Sequence, residues 1–235
     1  ADLDEIDEDY NLLHWAQAKC YAYIYGFQNC IDLLRVQLTY YQIESGSIKC
    51  FSKLLGMDEL KKFFHGLVNE YIQWISTVHR WEKIRNASIQ EMSFPFDQYR
   101  KGQRNLAAAV YRTIKDGGKL FAQAPTGIGK TMATIFPSIK AMGEGHAAKI
   151  FYLTAKTITR SVAEGAFEKL RNKGLRIKTV TITAKEKVCC NGVFSCKTED
   201  CEFVRGYYDR INEAIQDIFS QDAFTREIMV EYAFK

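Results

Sequence analysis

The residues predict an α/β chain in which a larger C-terminal region is built on a parallel sheet and follows a small α+β domain. Three observations carry this. From about residue 99 onward, helical apolar patterns alternate with short runs rich in β-branched and aromatic residues; a glycine-bearing loop at 124–131 (APTGIGKT) joins one such run to a helix; and a break at 93–96 (SFPF) sets this region apart from a first part with its own pattern. Strand–helix–strand repeats place strands parallel, with crossover helices covering both faces. The expected domains are 1–92 and 93–235.

The elements follow in order. Asp9 can cap a helix reaching about Gly26, with Leu12, Leu13, Ala16 and Tyr23 on its apolar surface. Residues 31–43 (IDLLRVQLTYYQI) read as a strand, paired through Gly46 with 48–51. Residues 58–85 form one long helix, with Leu60, Phe63, Phe64, Leu67, Tyr71 and Trp74 at helical spacing. Beyond the break, a helix covers about 99–116 and ends at Gly117-Gly118. A strand at 119–123, the glycine loop, a helix from about 129 to 142 and a buried-type strand at 149–154 (KIFYLT) come next. A helix over 157–172 and a strand at 176–183 (RIKTVTIT) complete the pattern.

Composition narrows the class. At 47% hydrophobic and 26% charged the chain is an ordinary globular protein. No apolar run reaches the roughly 18 residues that span a bilayer, and the acidic start is not a signal peptide, so no membrane partner and a cytoplasmic address are expected. Residues 1–92 hold 9 Lys/Arg against 13 Asp/Glu, while 93–235 hold 23 against 15. A basic second part suits a polyanion, because its cations release phosphate counterions on binding.

The loop at 124–131 is a Walker A sequence with Ala124 where the first glycine usually stands. Thr126, Gly127, Ile128 and Gly129 can turn backbone N–H groups toward phosphate oxygens. Lys130 adds a positive charge at the β/γ-phosphates of ATP, the Thr131 hydroxyl can ligate Mg²⁺, and the next helix points its positive end at the same anion. Kinases, transport ATPases and helicases all use such a loop, so its neighbours decide the reaction.

Those neighbours resemble superfamily 2 helicases, and the XPD/DinG family in particular. Phe94-Pro95-Phe96 followed by 99–103 (YRKGQ) is similar to that family's Q-motif region, which implies that Gln103 binds the adenine edge; an amide supplies the donor and acceptor required. After the second strand, 152–157 (YLTAKT) stands where the family places motif Ia, which implies that Thr154, Lys156 and Thr157 touch the DNA backbone. The resemblance covers about 94–235 and implies a RecA-like P-loop fold, ATP-driven translocation on single-stranded DNA and unwinding of forked duplex, 5′ to 3′. No D-E-x-H segment follows the cysteines. The resemblance therefore implies an incomplete sheet that holds nucleotide without hydrolysing it alone.

Four cysteines, Cys189, Cys190, Cys196 and Cys201, crowd together in an insertion starting at about residue 186. Without secretory features such crowding favours metal or reactive thiols over disulfides. The resemblance implies a [4Fe–4S] cluster on Cys189, Cys196 and Cys201, with Cys190 a bystander and the fourth ligand beyond Lys235; three thiolates alone also suit zinc. Position 1 is Ala, and 224–235 keeps a helical pattern without a stop signal, so chain is expected on both sides.

In the first part, His14, Gln17 and Tyr21 share one helical face. The pattern resembles the Q-x-x-x-Y helix of RecB-like PD-(D/E)XK nucleases, and fits an ordinary amphipathic helix equally well. No nuclease chemistry is assigned to it. Two other classes remain open on sequence: a P-loop NTPase of another kind, and a non-catalytic zinc-dependent nucleic-acid-binding module.

Overall fold

A computed structural model describes residues 3–155, 157–184, 189, 201 and 204–233. The chain forms two compact units, Ala1–Arg80 and Trp81–Lys235.

The first unit begins with a 3₁₀ turn, Leu3–Glu5, and helix α1, Leu12–Asn29. Asn11 rather than Asp9 caps α1: its side chain accepts from the Leu13 N–H at 2.9 Å, while the Asp9 N–H donates to Asp7 Oδ1. Strands β1 (Leu33–Tyr41) and β2 (Ile48–Gly56) form an antiparallel hairpin whose register runs from Leu33 opposite Gly56 to Tyr41 opposite Ile48. Trp15, Ala22 and Tyr23 of α1 pack with Val36 and Leu55 of the hairpin and with Leu60. Helix α2, Met57–Glu91, supplies Leu60 and runs six residues past the expected end at 85. The division between units falls within α2, upstream of the break at 93–96.

In the second unit, α2 is followed by α3 (Gln103–Lys115), α4 (Lys130–Gly143) and α5 (Thr157–Arg171). Next come β3 (Thr179–Val180), α6 (Tyr207–Ile218), β4 (Ala223–Phe224) and α7 (Arg226–Ala233). One core joins Ile89 and Met92 to Ile135, Ile139 and Met142 of α4, Leu170 of α5, and Leu175 and Ile177 beyond it. Gly143 is required here, since a Cβ on it would lie 2.4 Å from Ile89 Cγ2.

The expected parallel sheet is only partly realised. Among the described residues the parallel pairing is β3 with β4, Thr179 opposite Ala223 and Val180 opposite Phe224. The stretches at 119–123 and 149–154 read as strands but carry no ladder. A strand is completed by a neighbour, and here Phe121 and Leu153 are 95% and 89% exposed. The β3–β4 pair is pinned by Arg171, whose Nη2 donates to Thr179 Oγ1 at 2.6 Å, Asp222 O at 2.9 Å and Ile177 O at 3.2 Å. Lys178 donates to Gln221 O at 2.8 Å and to Phe219 O beneath the rings of Trp81 and Phe219, and burial lowers its pKa.

Candidate functional site

The loop between α3 and α4 gains its shape from two glycines in the left-handed region, Gly127 at φ 87° and Gly129 at φ 82°. Gly129 is the N-cap of α4 and makes no side-chain cap hydrogen bond, so the first N–H groups of the helix have no capping oxygen from it. Lys130 opens the helix with its ammonium turned back into the loop, donating to Ala124 O and Pro125 O at 3.0 Å each. Thr131 lies beside it, half-buried at the mouth of a cavity of about 350 Å³. Thr126 is exposed and Ile128 half-buried.

Gln103 reaches this loop from the start of α3. It is 3% exposed, accepts from the Arg100 N–H at 3.0 Å and donates to Gly129 O at 3.2 Å. Arg100, to which the sequence pattern assigns no role, donates its guanidinium to Gly127 O. Two residues three apart thus clasp both loop glycines. The segment ahead of them is anchored by Phe94, stacked on Tyr99 with ring centroids 3.8 Å apart and edge-on to Phe136 of α4 at 5.4 Å. Burial raises the Tyr99 pKa above its ordinary value.

The cavity beside the clasp is mostly apolar, with Phe96, Met132 and Ala166 among its walls. It meets the loop at Gly129 and Thr131, so a polyanion on the N–H groups of α4 could carry an attached flat apolar group into it. The contribution of α5 escaped the sequence reading; its signal was a stripe of small and apolar residues at 162, 165 and 166.

Thr154 is exposed; Lys156 and the side chain of Thr157, at the first position of α5, lie outside the described residues. Cys189 is half-buried and Cys201 buried, whereas Cys190 and Cys196 lie outside the described residues. No group of three His, Cys, Asp or Glu side chains placed to hold a metal occurs among the described residues. In the first unit, His14, Gln17 and Tyr21 do meet at one cavity with Tyr40, His14 Nδ1 lying 3.0 Å from the Tyr40 hydroxyl. No helix among the described residues is long and apolar enough to cross a membrane.

A family model described as DEAD/DEAH box helicase matches residues 102–221, just over half of the chain, and spans Gln103, the glycine loop and the cysteines. No curated protein and no solved structure matches.

Proposed function

Because this chain belongs to the DEAD/DEAH box helicase family, we propose that it is the nucleotide-binding front of an ATP-driven DNA helicase of the XPD/DinG iron–sulfur type, travelling 5′ to 3′ on single-stranded DNA and opening forked duplex. Membership already implies an ATP- and Mg²⁺-dependent nucleic-acid helicase with a RecA-like P-loop fold. DNA as substrate, the polarity and the cluster are the finer reading.

The observation that carries the nucleotide site is the clasp of Arg100 and Gln103 on the loop glycines at the uncapped start of α4. Lys130 exchanges two carbonyl oxygens for the β/γ-phosphates, the α4 N–H groups receive phosphate oxygens, and the Thr131 hydroxyl would hold Mg²⁺. A glutamine amide has two donor hydrogens and two acceptor lone pairs. One of each is engaged inside the chain, leaving one of each for adenine's N6/N7 edge. Gln103→Ala is expected to weaken ATP binding and to reduce discrimination against GTP. Titration of both nucleotides into the two proteins tests this, and an unchanged ATP:GTP ratio would show that the base is read elsewhere.

DNA as partner is supported by the excess of Lys and Arg over 93–235, with Thr154, Lys156 and Thr157 as candidate backbone contacts. The apolar side chains exposed along 119–123 and 149–154, Phe121, Phe151 and Leu153, support a sheet that gains further strands in a longer product.

For the cluster, Cys189, Cys196 and Cys201 are the proposed ligands. Soft thiolates fit iron–sulfur chemistry, and the buried Cys201 lies just ahead of the turn into α6. Such a centre would supply a rigid fixed point at the fork. The full gene product purified without oxygen should be brown, contain iron and sulfide, and unwind DNA with DNA-stimulated ATP hydrolysis. Serine at any of the three positions should remove both cluster and unwinding, and Cys190→Ser should spare both. Stoichiometric zinc without iron would overturn the cluster, and ATP hydrolysis indifferent to DNA would overturn the substrate.

A further inference from the structure

The cavity beside the phosphate loop has a wall that no motif accounts for. Val162, Gly165, Ala166 and Lys169 line it, spaced at i, i+3, i+4 and i+7, so they form a single stripe along α5. Within that stripe Gly165 is out of place. Glycine weakens a helix interior and is usually kept where something packs too closely for a side chain. Gly143 has that reason, with Ile89 against it. Gly165 does not, because among the described residues a Cβ added there meets no atom within 4 Å beyond the adjoining backbone of its own helix. The space it leaves open belongs to the cavity. At the rim, Lys169 holds its ammonium 5.1 Å from the centroid of the Phe96 ring, a cation over the aromatic surface that a stacking base would use.

We propose that this face of α5 is the second wall of a nucleobase seat whose first wall is Phe96, with Gly165 the position that admits a purine and Lys169 a rim cation displaced when the base stacks. The proposal rests on reading the adjoining loop as the phosphate site. The two meet at Gly129 and Thr131, which line the same cavity, so phosphates on the loop carry the base toward α5. Closure of the seat then depends on side-chain volume at positions 162 and 165, independently of Gln103.

Isothermal titration with ATP and with inorganic tripolyphosphate, both with Mg²⁺, separates base from phosphate. Wild-type protein should bind ATP at least about tenfold more tightly than tripolyphosphate, a difference of ~1.4 kcal/mol. Gly165→Leu should remove that advantage and leave tripolyphosphate affinity unchanged. Val162→Trp, made at a half-exposed site, fills the same space should the leucine variant fail to fold. Retained ATP affinity in a folded filled-cavity variant would overturn the α5 wall. So would ATP and tripolyphosphate affinities that fall together, since the effect would then act through the loop. A wild type that binds the two equally would overturn the base seat while leaving the phosphate site intact. One that binds neither would overturn the nucleotide reading on which the proposal rests.

Discussion

Lys130→Ala is expected to lower ATP affinity by at least about 100-fold, roughly 2.7 kcal/mol, while leaving the stability of the protein nearly unchanged. The ammonium is exposed and bonded to two loop carbonyls, Ala124 O and Pro125 O, which water can satisfy once it is gone. Surface changes of this kind usually shift stability by less than about 0.5 kcal/mol. The bound state has no such substitute, because the β/γ-phosphates lose their nearest positive charge. Fluorescent ATP titration together with a denaturant melt separates the two effects. Equal affinities, in a wild type that binds measurably, would remove Lys130 from the site.

The second large effect is expected from Gly129→Ala. At φ 82° an L-residue costs about 1–2 kcal/mol, and the added Cβ would lie 2.3 Å from Gln103 Nε2. Gln103 must then move, leaving a buried amide without its partners for a further ~1–3 kcal/mol. ATP binding should be lost with the loop geometry. Trp81 lies in the same unit and its fluorescence can follow the unfolding. Because the clash needs the glutamine side chain, Gly129→Ala should cost measurably less in a Gln103→Ala background. Equal costs in both backgrounds would show that Gln103 does not enforce glycine there, and that the conformation at φ 82° alone does.

Both effects act through a junction that sequence reading reached only from one side. Gln103 is marked in the sequence by the resemblance of 94–103 to the Q-motif region, and the donor and acceptor of its amide suit a base. Its use inside the protein, bridging the Arg100 N–H and Gly129 O, depends on α3 and α4 lying side by side. Arg100 stands in the same segment, and nothing along the chain reveals that its guanidinium reaches Gly127 O. The stripe on α5 was visible as small and apolar residues at helical spacing, but a cavity belongs to no single helix. The cap at Asn11 instead of Asp9 is a smaller case, since both residue types can cap and the turn ahead of α1 selected between them.

What the sequence determined by itself was local. The alternation of apolar residues set the helices, the glycines with Lys130 and Thr131 specified a phosphate loop at the start of α4, and the motifs placed the chain among helicases. These features need only hydrogen bonds and side chains a few residues apart, so they can be read along the chain. Tertiary structure decided the rest: which predicted strands are paired, that Ile89 and Met92 belong to the core of the second unit, that Gln103 is locked onto Gly129, and that a glycine of α5 lines the cavity. Each of these depends on groups far apart in sequence. A strand such as 149–154 has the residues for a sheet, yet its backbone can form a ladder only when another strand lies within hydrogen-bonding reach.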